Sequence, residues 1–104
     1  MPTWSGQSQF DYEGSVATGT HIRYGARREY RITVSGLQYA QLLAHFRGQE
    51  VLVGTSRDSR PAGSLGEWLK EHVTHTAIAS YVAPILVEEG YAVRAKDSRK
   101  IKFS

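Results

Sequence analysis

Two serines, Ser35 and Ser64, each stand three residues ahead of a glutamine or glutamate, Gln38 and Glu67, and an apolar run follows both. That spacing is the capping box, in which the serine side chain accepts the third backbone N–H of a helix and the longer side chain returns to the cap. It commits the chain to two helix starts, and every other segment is read around them. Val34 and Tyr39 flank the first box where a hydrophobic staple would sit. Leu37, Ala40, Leu43, Ala44 and Phe46 then offer an apolar face before Gly48 stops the helix. After the second box Leu65, Trp68, Leu69 and Val73 recur at helical spacing, which reads Trp68 as core.

The remaining segments alternate between strand and helix. Residues 50–54 form a short strand and 55–63 a polar loop. Thr74-His75 is a tight connection into a third helix running to about Glu89, with Ile78, Val82, Ile85 and Leu86 inward. Pro84 inside it lacks an amide donor and opposes the Ser80 carbonyl, so a kink is expected there. Gly90 ends that helix. A hairpin follows, in which Val93, Ile101 and Phe103 face inward while Arg94, Lys96, Lys100 and Lys102 alternate outward. Upstream, residues 21–24 and 28–34 form a first hairpin, with Tyr30, Ile32 and Val34 inward and Arg31 in water. Residues 1–19 read as an irregular leader pinned by Trp4, Phe10 and Tyr12. The expectation is one α+β domain over 20–104.

Charge is unevenly spread. Arg23, Arg27, Arg28 and Arg31 stand against Glu29 near the first hairpin, and Arg94, Lys96, Arg99, Lys100 and Lys102 against Asp97 near the last. Between them Lys70 faces Glu67, Glu71, Glu88 and Glu89. Two basic ends around an acidic helical stretch suit a polyanion, or are simply solvated hairpin faces. The chain has no cysteine, which excludes disulfides, thiolate metal sites and a cysteine nucleophile. No apolar run approaches a membrane span and no secretion signal opens the chain, so a soluble cytoplasmic protein without a membrane partner is expected.

From residue 35 the order is helix, short strand, helix, tight turn, helix, basic hairpin. The segment 76–94, ending Leu86-Val87-Glu88-Glu89-Gly90-Tyr91-Ala92-Val93-Arg94, resembles the recognition helix and first wing strand of bacterial or phage winged helix-turn-helix regulators. The resemblance covers residues 35–103 and implies double-stranded DNA as partner, for a regulator of transcription or a mobile-element accessory protein. It implies Thr74, His75, Thr76, Ala77, Ser80 and Tyr81 on the groove side of the third helix, and Arg94, Lys96, Arg99 and Lys100 on the wing. Lys102, Arg57, Arg60 and the N-terminal arginines are further phosphate candidates. Residues 74–87 hold no Lys or Arg, however, so the bidentate contact to guanine has no donor there. Ala77, Ser80, Ala83, Pro84 and Val87 make a small, uncharged stripe that fits another protein surface instead, that of a second copy in a homodimer or of the partner of a winged-helix interaction module, an adaptor or a phage- or defence-related inhibitor.

Other chemistry is thinner. His72 and His75 lack a carboxylate at metal-ligand spacing, so no metal or other cofactor is expected. His72 or His75 with Glu71 forms no local acid–base pattern, and no enzyme is expected. Gly63-Ser64-Leu65-Gly66 opens a helix and reads either as a plain cap or as a phosphate cradle beside Arg57 and Arg60.

Overall fold

The computed structural model describes residues 1–56 and 60–104. Both serine caps are in place. Ser35 Oγ accepts from Gln38 N at 3.0 Å and Gln38 Oε1 accepts from Ser35 N at 2.9 Å, a complete box at the start of α1 (Gly36–Phe46). Ser64 Oγ accepts from Glu67 N at 3.1 Å at the start of α2 (Leu65–His72), but Glu67 Oε1 takes Gly63 N, one residue further out. Ser64 is buried, and the Gly66 N–H donates to Val53 O at 2.8 Å. This helix start is therefore closed by the chain's own carbonyl, and the cap describes it where the phosphate cradle does not.

Strands β1 (Asp11–Ser15), β2 (Gly19–Tyr24) and β3 (Tyr30–Ser35) form an antiparallel meander. Part of the expected leader is thus a strand, its register running from Asp11↔Arg23 to Ser15↔Gly19. The aromatic anchors are as expected: Phe10 is buried, as is Trp4, and Tyr12 packs half-buried against the core. Strand β4 (Glu50–Leu52) follows α1, and β5 (Ala92–Arg94) and β6 (Lys100–Phe103) follow α3 (Ala79–Glu88). They make a second antiparallel sheet in the order β4–β6–β5. The result is an α+β fold with three helices and two small sheets among the described residues.

Two expectations about the helices change, one a face and one a start. In α1 the buried residues are Tyr39, Leu42 and Phe46, while Ala40 and Ala44 are exposed and Leu37 is 70% exposed. Residues 37, 40 and 44 and residues 39, 42 and 46 share one spacing but lie two positions apart, on opposite sides of a helix. The stripe with Tyr39 and Phe46 removes far more apolar area from water, so it turns inward. Phe46 stacks on Phe103 (centroids 5.0 Å), and Tyr39 Oη lies 2.7 Å from Thr20 Oγ1 in a buried hydrogen bond tying α1 to β2. Burial raises the Tyr39 phenol to about 12.

The third helix starts later than expected. Thr74, His75, Thr76 and Ala77 lie in the connection, and Ile78 is the N-cap of α3. Thr74 Oγ1 accepts from Thr76 N at 3.3 Å and Arg60 Nη2 donates to His75 O at 2.8 Å. A threonine hydroxyl that captures a nearby N–H offers the backbone an alternative to the helix. At its far end α3 is tied to β1 by one carboxylate: Glu89 Oε2 accepts from Tyr12 Oη and Glu89 Oε1 from Val16 N, both at 2.8 Å. Burial, then the hydrogen bond to Glu89, pushes the Tyr12 phenol up to about 12.

Candidate nucleic-acid interface

Pro84 determines what the outer side of α3 does. Without an amide proton it leaves the Ser80 carbonyl, one turn earlier, with no helical donor. Trp4 N takes that carbonyl at 2.9 Å. The first ten residues thus run as a strap against α3, closed by Met1 N⁺–H donating to Phe10 O at 3.0 Å and by the bridge Pro2↔Gln9. Trp4 is 7% exposed, and its Nε1–H donates to Ser98 O at 2.9 Å. Along α3 only Glu88 is exposed. Ala83 is buried, while Ala77, Ser80, Pro84 and Val87 are half-buried. The uncharged stripe is therefore partly covered by the chain itself, which leaves less surface for either use expected of it, groove insertion or a homodimer face.

The hairpin is out of phase with the expected alternation in one strand. β5 pairs Ala92↔Phe103, Val93↔Lys102 and Arg94↔Ile101. Val93, 57% exposed, lies outside with Lys102, and Ala92 is buried beside Phe103. The α3 helix packs on β5, and the small Ala92 fits the close side. Arg94 shares the register side of Ile101 but stays exposed at the end of the strand. Its guanidinium lies 3.7 Å above the Trp4 ring, Nη2 donates to Trp4 O at 2.7 Å and Nη1 to Ser98 O at 3.1 Å. It clamps the strap and is not a free wing cation.

Other cations are also engaged. Arg99 pairs with Asp97 at 2.9 Å, and its hydrogen bonds hold the Asp97 carboxyl down at about 2. Arg23 pairs with Glu13 at 2.9 Å and Arg28 with Asp11 at 2.8 Å, both acids supplied by β1. The strand hidden in the expected leader thus neutralises half of the N-terminal basic block. Arg60 is held by His75 O, and Arg57 lies outside the described residues. Among the described residues no ion pair engages Arg27, Arg31, Lys96, Lys100 or Lys102. Lys96 and Lys102 are exposed and Lys100 is half-buried, with Lys100 and Lys102 on the β6 face opposite Ile101.

One feature escaped the sequence reading. Tyr30 stacks on Tyr24 (centroids 5.3 Å, planes 26° apart), and Tyr24 stacks on Tyr81 (4.8 Å, 27°). Tyr81, expected to face a groove, meets buried Phe10 edge-on at 5.3 Å instead. Burial, then the neighbouring Tyr24, raises the Tyr81 phenol. Beside the stack is an open groove of about 470 Å³ lined by Tyr24, Tyr30, Thr76 and Ala77. The alternation of β2 and β3 and their pairing Tyr24↔Tyr30 were the available signal. A second groove of about 500 Å³ runs past Trp4, Gly54, Thr55, Arg94 and Arg99.

His72 stacks on Trp68, which is core as expected, with centroids 4.3 Å apart. No group of three or more potential metal ligands occurs among the described residues, and none of their helices is long and apolar enough to cross a membrane. No protein-family model, curated protein or solved structure matches the chain.

Proposed function

We propose that the chain is a small nucleic-acid-binding protein of winged-helix type, a cytoplasmic double-stranded DNA-binding regulator or mobile-element accessory protein. It holds the phosphate backbone with the β5–β6 hairpin and inserts no helix into a groove. Support for the architecture is the strand order β4–β6–β5 combined with a strand between the first two helices. The observation that carries the function is the contrast between Lys96, Lys100 and Lys102, which have no ion pair among the described residues, and α3, whose one exposed residue is the anionic Glu88. Lysines on an exposed hairpin neutralise phosphates and release counterions, which yields affinity without base readout.

The test is a labelled duplex titrated across a salt series. Wild type binds random-sequence duplexes with salt-dependent affinity, and Lys96→Ala with Lys100→Ala lowers the log–log slope by about two. Ser80→Ala leaves sequence preference unchanged, because its helix is strapped. Absence of salt-dependent binding, or an unchanged slope in the double variant, overturns the proposal.

A second reading is supported by α1. Between Gly36 and Phe46 it has no charged residue other than His45, and Leu37, Ala40 and Ala44 face outward. That face, in place of the strapped one, is the surface for a homodimer or another protein.

A further inference from the structure

We infer that the groove beside the β2–β3 hairpin tip takes an unpaired nucleobase, laid against the Tyr30 ring. The inference rests on the nucleic-acid reading above and adds a base-binding site to a phosphate-binding hairpin.

Three tyrosine rings lie near-parallel from the interior outward, Tyr81, Tyr24 and Tyr30, on a base of buried Phe10. The last residue is 57% exposed, so the stack ends at the surface. Its neighbours hold it in place. Gly25 has φ +96°, and a Cβ there would come 2.8 Å from Tyr30 Cδ2 and closer still to the Glu29 carboxylate. A ring held this way loses little freedom when a second planar group joins it.

The groove's composition selects the ligand. Its volume of about 470 Å³ falls within the range of small-molecule sites, roughly 300–1,000 Å³. Tyr24, Tyr30 and Ala77 present apolar surface, and Thr76 brings a hydroxyl with no partner among the described residues, able to donate to or accept from a base edge. Arg27, in the turn joining Tyr24 to Tyr30, is exposed and has no ion pair among the described residues, which adds a cation to the hairpin tip that bears Tyr30. Base stacking on an aromatic ring tolerates every base because each has a π-face. In a duplex those faces are covered by neighbouring pairs, so the ligand is a single strand, an overhang or a frayed end.

The experiment uses adenosine, which carries no phosphate, and the amide NMR spectrum of the full chain. Adenosine shifts the Tyr24, Tyr30, Thr76 and Ala77 resonances saturably in the millimolar range. Tyr30→Ala abolishes the shifts while the rest of its spectrum shows an intact fold, and Tyr30→Phe, which keeps the ring, retains them. An overhang-bearing duplex binds wild type about tenfold tighter than a blunt one of equal charge, and Tyr30→Ala removes that preference without altering the salt slope. Shifts that are absent, lie elsewhere or survive Tyr30→Ala overturn the inference, as does equal, salt-dependent binding of blunt and overhang duplexes. The salt slope of the lysine variants then still judges the hairpin reading. Adenosine shifts in this groove without salt-dependent duplex binding would sustain the base site and overturn the hairpin.

Discussion

Replacing Trp4 with alanine tests the strap directly. A buried tryptophan removes about 200 Å² from water, which at about 25 cal/mol/Å² stabilises by up to ~5 kcal/mol. The substitution also deletes the Nε1–H···O bond to Ser98, ordinarily worth about 1 kcal/mol, and the ring beneath the Arg94 guanidinium, about 0.5–2 kcal/mol. The Trp4 N–H and C=O remain, so the bonds to Ser80 O and from Arg94 Nη2 survive in principle. Relaxation of the strap recovers part of the loss, and the expected net is about 3–5 kcal/mol. Domains of this size are stable by about 5–15 kcal/mol, so the variant is marginal. Urea unfolding followed by far-ultraviolet circular dichroism reads the change without relying on the deleted fluorophore. With a slope of about 1–3 kcal/mol/M the midpoint falls by about 2 M. A loss below about 1 kcal/mol would mean that Trp4 does not pin the first ten residues, and α3 would again be a candidate surface.

Asp97 titrates near 2 in a carboxyl-resolved NMR titration, and Arg99→Ala returns it toward the ordinary 3.8. Because its pKa is lowered in the folded chain, its contribution to stability is present above pH 3.8 and disappears as pH falls through about 2. An unchanged midpoint in Arg99→Ala refutes the pairing. For α1, wild type sediments with concentration-dependent mass in the micromolar range and Leu37→Glu is monomeric. A monomeric wild type removes the homodimer reading.

The local signals in this sequence were sufficient for local structure. A serine three residues before Gln38 or Glu67 caps a helix whatever surrounds it, because donor and acceptor lie within one turn. Gly48 and Gly90 follow the ends of α1 and α3, and the β-branched and aromatic alternation of residues 30–34 marks a strand. The order of elements from β2 onward, and the basic hairpin that carries the proposed function, were likewise readable in one dimension, whereas β1 was not.

What failed was every choice between alternatives that satisfy the local rules equally. Two stripes of α1 have helical spacing, and only the competition for core volume turned Tyr39 and Phe46 inward and left Leu37 in water. Val93 and Ala92 are both apolar, and the nearness of α3 selected the smaller for the inside. The uncharged stripe of α3 was read as a surface for another protein, whereas at Ser80 the chain's own N-terminus lies against it. Pro84 frees the Ser80 carbonyl in the sequence itself, whereas the N–H that satisfies it comes from Trp4, seventy-six positions away. Asp11 and Glu13 cancel Arg28 and Arg23 by the same kind of long-range pairing. Burial and charge neutralisation depend on which segments meet, and that is decided by the packing of the whole chain.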